Sequence, residues 1–278
     1  MILDGGKRRA FFLAADPGQR FALFHPAQAA VPRGAILHIH AFAEEMNKSR
    51  RMAAVQASEF ARIGYAVLMV DLHGCGDSSG DFEDARWEIW KRDVVAATAW
   101  LRDHVSAPLH LWGLRLGATL ALECWNEQPD AFASALLWQP VIQGESFMTQ
   151  FLRLALAGDV VRDSENAMTT ERLRQQLREG KAAEVGGYRL HPELVRAIDE
   201  RRLDRWSLPG ATVHWLDVRR MAGEIASSTQ RTLDAWRARG VSPTYEAVVG
   251  DAFWASFDIV EVPALIAATT ARFRGDRT

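Results

Sequence analysis

The sequence predicts an α/β fold built on one mainly parallel sheet. Six apolar runs alternate along the chain with segments whose apolar residues recur every three or four positions. Nearly continuous apolar runs are typical of parallel strands buried on both faces, and the three-to-four spacing is typical of the helices that connect them. With 278 residues, 48% of them hydrophobic, the chain can bury one large core. The alternation therefore favours right-handed βαβ units packed into a single sheet.

The strand predictions begin with a hairpin near the amino terminus. The segments RRAFFLAA and RFALFHPA carry aromatic and branched residues on either side of the turn DPGQ. The six apolar runs follow this hairpin, which gives eight predicted strands. The runs cover residues 34–42, 65–72, 109–114, 134–141, 211–218 and 244–250.

Amphipathic helices are predicted between the apolar runs. Segment 87–101 has one apolar stripe at helical spacing, which should pack on the sheet. The same spacing predicts helices over residues 50–62, 117–127 and 225–239.

Residues 144–208 differ from the rest of the chain. They are rich in both charge signs and helical in pattern, and they contain no run that resembles a strand. We therefore expect a helical cap inserted after the sixth strand. The remaining residues, 1–143 and 209–278, would then form the core that contains the sheet.

The composition argues against several classes of function. The net charge of −2 and the pI near 6.5 give no field that would attract nucleic acid or an anionic membrane surface. No stretch reaches the roughly 18 apolar residues of a spanning helix, and the amino terminus lacks a signal-like apolar region, so a cytoplasmic location is expected. Cys75 and Cys124 belong to no CxxC or Cys/His cluster, so we expect no disulfide framework, metal or cofactor. A small molecule or a protein is the expected partner.

The segment LHLWGLRLGATLAL has the outline of a nucleophile elbow. An apolar strand leads into G-x-R-x-G and then into a helix rich in small residues. In such a turn one side chain is held above the sheet, beside backbone N–H groups that can bind an oxyanion. Gly113 and Gly117 permit the tight turn, and Arg115 occupies the position of the nucleophile. Because a guanidinium stays protonated and only donates hydrogen bonds, Arg115 cannot serve as the usual nucleophile.

In the order of its motifs the chain resembles the α/β-hydrolase superfamily. The loop DLHGCGDSSG follows a buried strand and precedes the elbow, HIHAFAEE resembles the oxyanion loop, and VVGDAFW resembles the loop that carries the catalytic histidine. The resemblance implies an eight-stranded, mostly parallel sheet with helices on both faces and a helical cap insertion. It also implies a ligand site near the elbow. The residues expected there are Phe42, Glu44, Glu45, Arg115 and Leu116.

The same resemblance leaves the catalytic triad incomplete. Asp251 takes the histidine's place in VVGDAFW, so no imidazole is available there as a general base. The acidic member should follow the run ATVHWLDV, where Asp217 and Glu224 both remain open. Two of the triad positions therefore fall on Arg115 and Asp251, and Asp217 is a possible acid position. His214 lies inside a predicted strand, where a histidine is typically a core residue.

Arg115 should need an anionic partner. A cation at a helix N-terminus opposes the helix dipole, which costs roughly 0.3–1 kcal/mol when it is exposed. In the superfamily fold Asp251 would lie across from Arg115, and Glu44 and Glu45 are rival partners. The hypothesis is that an ion pair between Arg115 and a carboxylate replaces the serine–histidine dyad.

Four blocks of sequence resemble one family within the superfamily. FFLAADPGQRFALFHP, HAFAEEMNKSRRMAA, VDLHGCGDSSGDFEDARWEIW and LWGLRLGA are similar to the exosortase A system-associated hydrolase 2 family. That resemblance implies a bacterial hydrolase of the ester or acyl type, linked to exopolysaccharide biosynthesis and protein export or sorting. Such an enzyme would need a different nucleophile or an activated water. The alternative is a catalytically silent relative that binds an anionic ligand through Arg115 or serves as an assembly or regulatory partner.

Overall fold

A computed structural model describes residues 7–158 and 169–275. The strands, in chain order, are β1 (Arg9–Ala14), β2 (Gln19–His25), β3 (Gly34–Ile39), β4 (Tyr65–Val70), β5 (Leu109–Leu114), β6 (Ser134–Trp138), β7 (Ala183–Val185), β8 (Tyr188–Leu190), β9 (Thr212–Arg219) and β10 (Ser242–Val249). The helices are α1 (Glu44–Arg62), α2 (Trp87–His104), α3 (Leu116–Glu127), α4 (Gly144–Gly158), α5 (Thr170–Arg178), α6 (Pro192–Asp199), α7 (Ser227–Ala238) and α8 (Pro263–Arg274). None of these helices is long and apolar enough to cross a membrane.

Eight of the strands form one sheet in the order β1-β2-β4-β3-β5-β6-β9-β10. The predicted hairpin is present, because β1 and β2 pair antiparallel, and β2 also pairs antiparallel with β4. All other neighbours in the sheet pair in parallel. The predicted eight-stranded, mostly parallel sheet is therefore confirmed. The carboxyl ends of its parallel strands meet at one edge, where ligand sites form in such sheets.

Helices cover both faces of the sheet, and each face has its own apolar core. On one face α1 and α8 pack through residues such as Phe60 and Phe273. On the other face α2, α3 and α7 pack through Trp90, Leu120 and Trp236. This two-sided burial explains why the central strands are almost continuously apolar.

The first crossover helix begins earlier than its sequence pattern predicts. The apolar spacing predicts a helix over residues 50–62, whereas α1 starts at Glu44. Glu44 and Glu45 occupy the first turn, where carboxylates interact favourably with the helix dipole. The residue before them, Ala43, has a φ of 49° and turns the chain sharply from the sheet into the helix. This early start brings both acids to the carboxyl edge of the sheet.

Within 144–208 the expectation of helices alone is wrong. The segment contains α4, α5 and α6, and also the antiparallel hairpin of β7 and β8. Gly186 and Gly187 both have positive φ, which suits a tight hairpin turn between short strands. Residues 159–168 of the predicted cap lie outside the described residues, and the division into core and cap stays a prediction.

Ion pairs connect segment 144–208 to the rest of the molecule. Arg86 contacts Glu193 at 3.0 Å, and Arg201 contacts Glu123 at 2.7 Å. The Phe42 ring packs edge-on against Phe147 of α4, with 5.8 Å between the ring centroids. The segment therefore closes over the carboxyl edge of the sheet, next to the elbow.

Candidate functional site

The elbow between β5 and α3 is built as the sequence predicts. Arg115 has φ 55° and ψ −119°, a conformation that costs a non-glycine residue roughly 1–2 kcal/mol. Its backbone N–H donates to the carbonyl of Trp138 at 2.9 Å, which ties the turn to β6. A Cβ atom on Gly113 would lie 2.3 Å from Ala118 Cα, and one on Gly117 would lie 2.3 Å from the His40 carbonyl oxygen. The tight strand-to-helix turn therefore requires both glycines.

Arg115 and Glu45 form an ion pair above the sheet. Arg115 Nη2 donates to Glu45 Oε1 at 3.0 Å, and Nε donates to Oε1 and Oε2 at 3.1 and 3.3 Å. The two side chains are only 15% and 17% exposed. Burial raises the pKa of the Glu45 carboxyl, and the Arg115 guanidinium opposes this shift. The expected carboxylate partner is thus present, and it comes from the oxyanion-type loop.

Asp251 is not the partner of Arg115, which corrects the prediction from the superfamily layout. The Asp251 carboxylate is 67% exposed and lies 3.7 Å from Arg220. After β10 the chain turns Phe253 and Trp254 into the interior and leaves Asp251 outside. The carboxylate therefore keeps its hydration and does not approach the elbow.

Glu44 is also not part of the ion pair. Its side chain is 54% exposed and lies 3.6 Å from Lys48, one turn further along α1. Adjacent residues of a helix point about 100° apart. Because Glu45 faces the elbow, Glu44 must face the solvent.

Two aromatic rings flank the Arg115 guanidinium. Its central carbon lies 5.6 Å from the Phe147 ring centroid and 5.3 Å from that of Trp254. Nη1 makes one long hydrogen bond, 3.4 Å, to the carbonyl of Gln139. No sequence pattern identifies Phe147 as part of the site, since its contact with Arg115 depends on how α4 packs over the elbow. Together these contacts hold the guanidinium in one position.

Asp217 is buried beside the groove, whereas Glu224 is exposed, and the role of Asp217 as the triad's acid stays a prediction. The Trp215 indole N–H donates to Asp217 Oδ1 at 2.6 Å, and the Tyr245 hydroxyl donates to Oδ2 at 3.1 Å. Asp217 is 5% exposed, and this burial raises the pKa of its carboxyl. Glu224 lies on an exposed loop, where its backbone carbonyl accepts a hydrogen bond from Arg219. An indole and a phenol thus satisfy the Asp217 carboxylate.

The thiol of Cys75 and the imidazole of His214 are not activated for reaction. Burial and the nearby Asp71 carboxylate raise the pKa of the Cys75 thiol, which keeps it protonated and unreactive. Burial lowers the pKa of His214 to about 4. Its Nδ1 lies 2.9 Å from the Thr244 hydroxyl on β10, so His214 is a packed sheet residue, as expected.

The backbone donors of the oxyanion position are still available. Among residues 7–158 and 169–275, no protein acceptor receives a hydrogen bond from the amides of Phe42 and Leu116. Both residues are buried, and both line a small apolar pocket beneath the elbow. Phe42 and Leu116 therefore lie close together beside the elbow, and their part in ligand binding stays a prediction.

Two neighbouring cavities open beside the ion pair. The first, about 340 Å³, is bounded by Arg115, Pro140 and Phe147. The second, about 550 Å³, extends to Asp217 and the loop after β9. Pro140, Ile142 and Ser228 line both cavities, so the two form one groove.

Comparison with known proteins identifies the family. A family model described as serine aminopeptidase, S33, matches residues 30–193, more than half of the chain. The chain belongs to this family. The matched residues include the oxyanion loop, the elbow and most of the inserted segment. No curated protein matches the chain.

Several solved structures have the same fold as this chain. The Est1E protein from Butyrivibrio proteoclasticus, determined with ferulic acid, matches with a TM-score of 0.65 and 16% identity over 95% of this chain and 97% of that one. A thermostable carboxyl esterase from Bacillus coagulans matches with a TM-score of 0.65 and 11% identity over 97% and 98%. A serine hydrolase without a lid from Xanthomonas campestris matches with a TM-score of 0.59 and 12% identity over all of both chains. These similarities establish the α/β-hydrolase fold.

Proposed function

We propose that this protein is a catalytically silent α/β-hydrolase relative that binds a small molecule in the groove beside Arg115. The observation that carries the proposal is the buried ion pair of Arg115 and Glu45 at the nucleophile elbow. The pair occupies the place where a hydrolase of this fold holds its attacking oxygen.

The proposed triad is degenerate at two of its three positions. Arg115 offers only N–H donors, and Asp251 lies outside the site. Asp217 keeps the acidic position, but its hydrogen bonds go to Trp215 and Tyr245. Acyl-enzyme formation at the elbow would therefore lack both the nucleophile and the base that activates it.

The groove supports a binding role for the site. Nε and Nη2 of Arg115 are engaged by Glu45, whereas within residues 7–158 and 169–275 Nη1 makes only the long contact to Gln139. The Nη1 hydrogens are therefore the donors that a ligand in the adjoining cavity can use. The aromatic contacts of Phe147 and Trp254 hold these donors in place, which reduces the entropic cost of binding.

The biological setting of this proposal comes from the sequence blocks that resemble the exosortase A system-associated hydrolase 2 family. On that basis we place the protein in bacterial exopolysaccharide biosynthesis or protein export and sorting, in the cytoplasm. A silent hydrolase relative in such a system would bind a pathway intermediate or take part in an assembly. The binding site itself is argued from Arg115 and the groove, independently of this setting.

Activity-based labelling tests whether the protein is silent. A fluorophosphonate probe should label no serine, and a panel of p-nitrophenyl esters should be hydrolysed no faster than by the Arg115→Met variant. The reason is that no hydroxyl occupies the elbow. A known serine hydrolase in the same assay serves as the positive control. Labelling of any serine, or ester turnover well above the variant, would refute the proposal.

The amides of Phe42 and Leu116, which have no acceptor among the described residues, favour a second candidate, an active hydrolase. These amides could stabilise an oxyanion if an activated water replaced the missing nucleophile. The same experiment separates the two candidates. Ester turnover without probe labelling would indicate the water-dependent enzyme, and its absence supports the silent protein.

A further inference from the structure

We infer that the ligand group bound at Arg115 is an uncharged hydrogen-bond acceptor, of which the carboxamide is the best match. This inference rests on the proposed binding function. It replaces the anionic ligand that Arg115 alone would suggest, because the structure shows that Glu45 already neutralises the guanidinium. Glu45 is then the residue that disfavours the binding of negatively charged ligands.

The local charge balance disfavours an anion. Glu45 approaches Arg115 through Nε and Nη2, so a ligand at Nη1 shares the same guanidinium with a carboxylate. Two anions on one buried guanidinium repel each other strongly at low effective dielectric. An amide or ester carbonyl can accept from Nη1 without that repulsion.

The described walls of the 340 Å³ cavity offer no second cation. Among the lining residues whose side chains the structure describes, Arg115 is the only charged one. The others are Pro140, Val141, Ile142, Gln143, Ser146, Phe147, Gln150 and Ser228. A carboxylate that entered this cavity would lose hydration and meet only Arg115, whose charge Glu45 already balances. The cations of the adjoining 550 Å³ cavity, Arg219 and Arg220, lie beside the carboxylates of Asp217 and Asp251.

The neutral polar groups of the cavity match an amide well. Gln143 and Gln150 each carry an amide, and Ser146 and Ser228 each carry a hydroxyl. These groups both donate and accept hydrogen bonds. A carboxamide can accept from Arg115 Nη1 through its oxygen and donate through its nitrogen to one of these acceptors. An ester can make only the first contact.

Benzamide and benzoate provide a matched test, because they share their shape and differ in charge at neutral pH. Binding is measured by ligand-observed NMR titration against the full chain. We expect the unmodified protein to bind benzamide about fivefold more tightly than benzoate. In Glu45→Gln the guanidinium loses its counter-charge, so the preference should reverse, with benzoate gaining about tenfold. Arg115→Met should weaken binding of both compounds.

Glu145→Gln is the control for the loss of one negative charge near the cavity. Glu145 is exposed on the first turn of α4, next to Ser146 of the cavity wall. Its benzamide-to-benzoate ratio should equal that of the unmodified protein. The ratio in the unmodified protein and in Glu45→Gln decides the question even if Arg115→Met does not fold.

Three results would overturn the inference. These are a preference for benzoate in the unmodified protein, a ratio unchanged in Glu45→Gln, and no measurable binding of either compound. Each result is independent of the labelling experiment, so a silent protein that prefers benzoate would refute only the ligand class. Probe labelling combined with a benzamide preference would refute only the proposal that the protein is catalytically silent.

Discussion

At the scale of single residues, Arg115 and Glu45 depend on each other. A cation at the start of α3 opposes the helix dipole, and a buried carboxylate alone would be poorly solvated. Their hydrogen bonds of 3.0–3.3 Å satisfy both groups at once. The Arg115 and Glu45 side chains should therefore be energetically coupled.

A double-mutant cycle measures that coupling. Arg115→Met leaves Glu45 without a counter-charge and should lower the free energy of unfolding by about 3 kcal/mol. Glu45→Gln keeps a hydrogen-bond acceptor and should cost less. The double variant should lose less stability than the two single changes added together, with a coupling energy of roughly 0.5–3 kcal/mol. Urea unfolding provides these values, and strict additivity would show that the pair contributes no coupling.

At the scale of elements, the site is assembled from three sharp turns at the carboxyl edge of the sheet. Among the described residues, Ala43, Arg115 and Gln139 are the non-glycine residues with positive φ, and they follow β3, β5 and β6. Strained backbone of this kind persists only where surrounding structure enforces it, and it clusters at functional sites. The elbow thus keeps its strained backbone conformation even though its usual hydroxyl is absent.

A substitution at Gly117 tests how tightly the elbow between β5 and α3 is packed. A Cβ atom at residue 117 would lie 2.3 Å from the His40 carbonyl oxygen, which belongs to rigid backbone at the end of β3. Gly117→Ala should therefore destabilise the fold by more than about 3 kcal/mol, measured by chemical denaturation. Gly223→Ala is the matched control, because nothing lies within 4 Å of the added atom, and it should change stability by no more than about 0.5 kcal/mol. Equal effects of the two changes would contradict the packing described for the elbow.

At the scale of the whole molecule, buried histidines make the stability of the fold depend on pH. Burial lowers the pKa of His25, His110 and His214 to about 4. The unfolded chain takes up these protons near pH 6.5. Between pH 6.5 and pH 4 the unfolded state therefore binds more protons, so these groups make stability fall as the pH drops through this window.

The His214→Gln variant isolates the contribution of one histidine to the pH dependence of stability. The histidine's pKa differs by about 2.5 between the two states, which corresponds to about 3 kcal/mol of pH-dependent stability. The unfolding free energy of the variant should change less between pH 6.5 and pH 4 than that of the unmodified protein. Comparing the two proteins at each pH removes the opposing contribution of buried carboxyls such as Asp93, whose pKa is raised. Parallel curves would indicate that His214 is not protonated during acid unfolding.

Much of the fold could be predicted from local pattern. Apolar runs and helical spacing identified all eight strands of the main sheet and the helices α2, α3 and α7 to within a few residues. The hairpin of β7 and β8 was missed, although its Gly186-Gly187 pair is a turn signal, because charged helical segments surround two strands of only three residues. The start of α1 was missed because its first turn carries two acids and little apolar surface.

The sequence alone determined that an elbow is present, since glycine spacing and the strand-to-helix pattern are local, and that Arg115 stands at its apex. The tertiary structure decided which acid pairs with Arg115, because Glu45 and Arg115 are 70 residues apart in the chain. It also decided that Asp217, and not Glu224, is buried beside the groove. These outcomes depend on where each side chain points once helices and loops have packed. Periodicity fixes which elements form, whereas side-chain direction at a shared edge is fixed only by their mutual packing.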